Sequence, residues 1–200
     1  MRYLIGIDES GRGPLAGPLM VGAVMVGREF DIRKAFPDAR DSKVMSAAKR
    51  EAVYADVLTR AKAGELTFCV RVASAASIDK YGISEMTRRA VYNAVCALAP
   101  EPMGVRVLLD GLLHAPSEYS QETIIHGDSI EPLISLASIV AKVRRDRMLV
   151  RFSKKYPEYG LEVHKGYGTL AHRRAIEKHG LTPLHRRSFC KALILAKESV

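Results

Sequence analysis

Four acidic residues sit where they could share one piece of chemistry. Asp8 and Glu9 close the apolar run RYLIGID, Asp110 closes VRVLLD, and Asp128 closes ETIIHGD. Ligand sites in open α/β sheets lie beyond the carboxyl ends of strands. Three strand ends of this kind would bring the acids to one sheet edge. Clustered carboxylates raise one another's pKa, and a hard cation relieves that strain. Donors that are all oxygen suit Mg2+ or Mn2+, whereas His or Cys would be expected for zinc. Two such ions roughly 4 Å apart can activate a water and stabilise the leaving oxygen in phosphodiester hydrolysis. The competing reading is four unrelated, solvated turn acids. Successive strand residues also point to opposite faces. Asp8 and Glu9 therefore share a site only if the strand ends or twists there, which Gly11 permits.

The segments around these acids read as contacts for a phosphate-bearing ligand. In GRGPLAG, Gly11 and Gly13 let backbone amides approach a ligand, and Arg12 between them could hold a phosphate. In DSK (41–43), Ser42 and Lys43 offer polar contacts, or simply precede a capped helix. In ASIVAKVRRDR, Ser138, Lys142 and Arg145 fall on one helix side at i, i+4 and i+7. That face reads either as a phosphate track or as a solvated basic face, with Ile139, Val143 and Met148 packed inward. Tyr167 lies between two glycines in HKGYGT (164–169) and invites stacking on a base or sugar. A tyrosine folded back on the core is the alternative. HRRSF (185–189) adds cationic and titratable residues. The histidines show no metal-ligand spacing, and His164, His172 and His185 read as surface or phosphate-side residues.

The elements that must position these residues follow from periodicity. Residues 2–8 and 19–27 read as buried strands joined by a short loop, hence an antiparallel pair. A helix is expected from the Ser46 cap to the Gly64 stop. Strands are expected at 66–72, 105–110 and 122–128, and helices from Ser84 to before Pro100 and over 131–153. Residues 156–169 read as loop, LAHRRAIEKHG as a helix closed by Gly180, and a last helix starts at Ser188. Strands first, then alternation, then helices, give an α/β fold with a mixed sheet flanked by helices and a C-terminal helical segment. A single domain over 1–200 is expected, with a helical lobe from about residue 154.

Composition narrows the partners. Of 200 residues, 31 are Lys or Arg and 22 Asp or Glu, a net charge of +9. Such a surplus suits a polyanion, because phosphates bind clustered cations with counterion release; a merely solubilising basic surface is the plain alternative. Apolar residues make up 48% and charged residues 26%, as in ordinary globular chains. Cys69, Cys96 and Cys190 form no CxxC pair and read as buried free thiols in a reducing compartment. No apolar run reaches the roughly 20 residues of a membrane helix, and Asp8 comes too early for a signal peptide. A soluble cytoplasmic protein with no membrane partner is expected.

Taken together, these motifs closely resemble the bacterial ribonuclease HII family. The matching stretches are GIDESGRGPLAGP (6–18), DSK (41–43), DG (110–111), GD (127–128), ASIVAKVRRD (137–146), KGYGT (165–169) and HRRSF (185–189). They stand in the family's order and span nearly the whole chain. Ser10 replaces a more usual alanine, and SLAS (135–138) a more usual AAAS; neither touches a catalytic position.

The resemblance implies an RNase H-like fold. It implies cleavage of the RNA strand of RNA–DNA hybrids and cutting 5′ to single ribonucleotides in duplex DNA, with Mn2+ or Mg2+ as cofactor. It places the metal ions on Asp8, Glu9, Asp110 and Asp128. It gives Gly11, Arg12 and Gly13 the reading of the ribose 2′-hydroxyl, and Tyr167 the packing against the sugar. The expected substrate-binding set adds Ser42, Lys43, Ser138, Lys142, Arg145 and Lys165. A monomer is expected, without a sliding-clamp partner, because little chain follows HRRSF. Two other classes stay open: a metal-dependent nuclease acting on DNA junctions, and a nucleic-acid-binding module that has lost catalysis.

Overall fold

The computed structural model describes residues 1–39 and 42–193. The strands are β1 Tyr3–Ser10, β2 Leu19–Gly27, β3 Leu66–Ala73, β4 Val105–Asp110 and β5 Ser120–Ile124, in the sheet order β3-β2-β1-β4-β5. The helices are α1 Ile32–Ala35, α2 Ala47–Lys62, α3 Ala75–Tyr81, α4 Ile83–Leu98, α5 Gly127–Ile130, α6 Pro132–Ser153, α7 Leu161–His164 and α8 Leu170–His179. β1 pairs antiparallel with β2, and β2 with β3. β1 pairs parallel with β4, and β4 with β5. The expected mixed α/β sheet is therefore present.

Central strands covered on both faces read as near-continuous apolar runs, and β1 and β2 do. On one face Ile5, Ile7, Val21 and Ala23 pack with Val91, Ala94 and Val95 of α4. On the other, Val24 and Val26 pack with Leu133, Leu136, Ala137 and Val140 of α6, backed by Tyr54 and Val57 of α2. Glycine in a strand often marks the close approach of another backbone. A Cβ at Gly6 would stand 2.5 Å from the Leu133 carbonyl oxygen, and one at Gly22 2.3 Å from that of Ala137. α6 thus lies directly against the sheet at these two positions.

Several expected boundaries move. α2 starts at the Ser46 cap, whose hydroxyl accepts from the Lys49 amide, as the sequence predicts. β1 runs on to Ser10, so Asp8 and Glu9 lie inside the strand rather than after it. The expected 122–128 strand stops at Ile124; His126 turns the chain at φ 55°, and Asp128 sits in α5. The expected 156–169 loop contains a 3-10 turn, Pro157–Tyr159, and α7. At the expected last helix, the chain makes a 3-10 turn over Arg187–Phe189 and is helical at 191–193; the remainder of the expected segment lies outside the described residues. Cys190 is buried, but Cys69 and Cys96 are only half-buried. The C-terminal segment packs Tyr159, Leu161, Ile176 and Cys190 around Ala16 of the β1–β2 loop.

Candidate active site

The parallel register Ile7↔Leu109 puts Asp8 and Asp110 one step further along neighbouring strands. Asp8 is buried at 4% exposure. Its Oδ1 accepts the Glu9 amide at 2.7 Å, and Ser138 of α6 bonds its carboxyl group. Gly22 stands opposite Asp8 in the β1–β2 pair. The absence of a side chain there lets α6 sit low enough for Ser138 to reach the strand. Ser138 in turn meets Ser42, oxygen to oxygen, at 2.8 Å. Asp110 Oδ1 accepts the Asp128 amide at 3.2 Å, which joins α5 to the end of β4. Asp128 is buried, and its Oδ2 accepts from Lys43 Nζ at 2.7 Å.

The site holds acids in an unfavourable place for charge. Asp8 is pushed up to about 8, first by burial and then by Glu9 and Asp110, against the opposing bonds from Ser138 and the Glu9 amide. Glu9 is also raised, by burial and by Asp110, although Arg12 pulls it down. Arg12 Nη1 lies 3.8 Å from Glu9 Oε1. Buried carboxylates that hinder each other's ionisation are what a cation would relieve. The donors are hard oxygens, so this set fits Mg2+ or Mn2+. Among the described residues no three Asp, Glu, His or Cys side chains yet converge on one ion position. Asp128 is instead turned to Lys43.

The glycine loop is held from below by two buried arginines. Arg186 donates to the carbonyls of Gly11 at 2.6 Å, Arg12 at 2.8 Å and Gly17 at 3.1 Å. Arg145 donates to the carbonyls of Pro18 at 3.0 Å, Ala16 at 3.2 Å and Lys165 at 3.0 Å. Burial, with Arg145 as a like-charged neighbour, pushes Arg186 down to about 10. The amides of Leu15 and Ala16 both donate to the Gly166 carbonyl, at 2.9 and 3.2 Å. The loop at 11–18 and the loop around Tyr167 are therefore one bonded unit. Gly11 has φ +93° and packs on Arg145, so its backbone requires glycine; a Cβ at Gly13 would meet nothing within 4 Å, so that side is open. Tyr167 is 47% exposed, and the Arg145 guanidinium lies 5.9 Å from its ring centre.

Some expected site residues have other positions. Arg145 is fully buried and does not line a surface track. Helical spacing gave its azimuth correctly, but the two loops cover that side of α6. Ser138 and Ser42 are buried too, facing Asp8 and each other. Of that helix side only Lys142 stays partly open, paired with Asp146 at 2.8 Å. Lys165 is half-buried at φ 50°, its ammonium turned to the Glu162 carbonyl. His172 and His185 are buried, not surface residues. Arg186 was visible only as one charge in HRRSF. Nothing in the sequence singled out its three carbonyl bonds. Asp41 of DSK lies outside the described residues.

The family model of Ribonuclease HII matches residues 5–192. Ribonuclease HII of Coxiella burnetii (strain Dugway 5J108-111) is 41% identical over 186 residues, 93% of this chain and 87% of the relative. Among solved structures, the ribonuclease H2 of Pyrococcus horikoshii OT3 superposes with a TM-score of 0.82 at 22% identity, covering 99% of this chain and all of that one (100%). An Archaeoglobus fulgidus RNase HII, solved in complex with PCNA, gives 0.74 at 24% identity, covering 92% and 93% of the two chains. Bst-RNase HIII, solved with Mn2+, gives 0.71 at 20% identity, covering 100% of this chain and 71% of that one. The family model and the Coxiella relative define a nuclease of the ribonuclease H type, and the three solved structures share its fold. The chain belongs to the ribonuclease HII family and is a hydrolase.

Proposed function

We propose that the chain cleaves the RNA strand of RNA–DNA hybrids and cuts 5′ to single ribonucleotides in duplex DNA, leaving a 5′-phosphate and a 3′-hydroxyl. The observation that carries this reading is the junction of two features. A buried, mutually destabilised acid set at the ends of β1 and β4 lies beside a glycine loop bonded to the loop of an exposed tyrosine. Asp8, Glu9, Asp110 and Asp128 would hold a divalent cation, Mg2+ or Mn2+. When bound, such ions supply an activated water and stabilise the departing oxygen.

The chain's own residues account for positioning and choice. The open side of Gly13 lets a ribose approach the backbone, and the 2′-hydroxyl, both donor and acceptor, distinguishes RNA from DNA there. Tyr167 packs its ring on the sugar, with Arg145 beneath limiting its movement. Arg12, Lys142 and Lys165 take phosphates. Lys43, now on Asp128, is close enough to the acids to follow a phosphate brought to them. Ser42 and Ser138 act from behind, by fixing the Asp8 carboxyl. Arg145 shapes the loops instead of touching the strand directly. The Mn2+ complex of Bst-RNase HIII supports the choice of cation. A sliding clamp, with which the Archaeoglobus protein was solved, is not required for this reading.

Asp110→Asn tests the assignment. It preserves size and the bond from the Asp128 amide while removing a charge. Cleavage of a hybrid should fall at least about a hundredfold, and Mn2+ affinity, read by calorimetry, should fall with it. A folded Asp110→Asn protein with near-parent activity would refute the role given to this carboxylate.

A further inference from the structure

Three histidines that the proposed chemistry does not use lie together behind the Tyr167 loop. His172 and His185 are 0% and 3% exposed. The His164 ring stacks on that of His172, with centres 4.3 Å apart and planes at 21°. The ring nitrogens of this cluster are taken up by bonds. His185 Nδ1 accepts the Thr182 amide at 3.0 Å. His185 Nε2 and His172 Nε2 are 3.1 Å apart. His172 Nδ1 lies 2.9 Å from the Tyr167 carbonyl oxygen. His164 Nδ1 accepts the Gly166 amide at 3.2 Å, and its Nε2 lies 2.6 Å from the Tyr159 carbonyl oxygen.

These bonds fix the proton positions. An amide can only donate, so His185 Nδ1 is bare and its proton is on Nε2. A carbonyl can only accept, so His172 carries its proton on Nδ1 and leaves Nε2 bare. The two requirements start from opposite ends and agree at the central bond, where His185 Nε2–H donates to His172 Nε2. An additional proton on either ring would set two N–H groups against each other. Burial, with His172 beside it, pushes His185 down to about 4, and burial also lowers His172. Both rings are therefore neutral near pH 7. The Tyr167 carbonyl also accepts the Thr169 amide at 2.9 Å, and the Tyr167 amide donates to His164 O at 3.0 Å. The backbone that aims the Tyr167 ring is held on both sides by residues of this cluster and its neighbours.

We infer that His172, oriented by His185, is a positioning residue for cleavage. It uses its Nδ1–H to fix the backbone of Tyr167 and so the placement of that ring on the sugar. Because the Tyr167 carbonyl bonded to Nδ1 can only accept, the proton must stay on that nitrogen for the loop to hold its shape. The inference rests on the proposal that Tyr167 contacts the sugar.

The test has two parts in the full-length protein. Nitrogen-15 NMR separates protonated from bare ring nitrogens, and it needs no variant. It should find the proton of His172 on Nδ1 and that of His185 on Nε2; a His172 proton on Nε2 would overturn the inference. Kinetically, His172→Gln places its amide at the Nε2 position and loses the bond to Tyr167. It should lower kcat/KM on a duplex with one ribonucleotide by roughly tenfold or more. His172→Asn places an amide N–H at the Nδ1 position and should restore most of that loss. Equal losses in the two variants, or none in His172→Gln, would overturn the positioning role. Tyr167→Ala run in parallel tells the two readings apart. If Tyr167→Ala cleaves at the parent rate, the sugar contact is wrong and this consequence goes with it. If Tyr167→Ala is slow while His172→Gln is not, only the role of His172 is wrong.

Discussion

Asp8 is kept in a position that costs the fold stability and that a bound cation would reward. Its ordinary value is 3.8, and the folded chain raises it to about 8. Below about pH 3.8 the group is protonated in both states and makes no difference. Between there and about pH 8 the folded chain holds a proton that the unfolded chain has released, so stability falls as pH rises across this window. Asp8→Asn removes the ionisation while keeping an oxygen for Ser138. In EDTA at pH 8 the variant should melt several degrees higher than the parent, at roughly 2–4 °C per kcal/mol for this chain length. The gap should shrink towards pH 5. A parent that melts higher than Asp8→Asn at pH 8 without metal would show that Asp8 is not strained.

At this scale the sequence was most legible for the acids. Asp8, Glu9 and Asp110 were visible because each follows an apolar run, although β1 continues past Asp8 and Glu9 to Ser10. Asp128 was placed at the right edge from the wrong element, since His126 turns the chain two residues after Ile124 and residue order cannot show a positive φ. Arg145 was placed on a surface track, and Arg186 was not singled out, for one reason. A charge in sequence reads as solvent-facing, and only tertiary structure supplies the six carbonyls that make burial tolerable.

At the scale of elements, the site depends on how closely α6 lies on the sheet. Gly6 and Gly22 are the two places where helix backbone replaces strand side chains, and the second faces Asp8 across the β1–β2 pair. Gly22→Ala should raise α6 locally and cost about 1–3 kcal/mol in urea unfolding. Cleavage should fall further than that loss explains, because Ser138 would be withdrawn from Asp8. Parent stability in Gly22→Ala would mean that α6 does not need this contact. The central strands were readable as near-continuous apolar runs bounded by turn residues, and α2 and α4 from their 3.6-residue period and the Ser46 cap and Pro100 stop. The 156–169 stretch was not, because two short turns there take their shape from Gly160 and Lys165 in left-handed conformations and from packing around Tyr159.

At the scale of the molecule, the sheet brings the acids to one edge, and the C-terminal segment carries the tyrosine to the same edge through the β1–β2 loop. The net charge of +9 suits a nucleic-acid partner but names none. Among the described residues no helix is long and apolar enough to cross a membrane. The order of motifs across nearly the whole chain made the family visible in the sequence, while the coupling of the two loops through Arg145 and Gly166 could be read only from the fold. The most direct measurement is cleavage of a labelled DNA duplex carrying one ribonucleotide, with Mg2+, Mn2+ or EDTA, beside an all-DNA duplex. A metal-dependent cut 5′ to the ribonucleotide, with the all-DNA duplex intact, is the predicted result. Cutting of both duplexes would contradict the sugar recognition assigned to the glycine loop and Tyr167, and cutting of neither would contradict the catalytic reading of the acids.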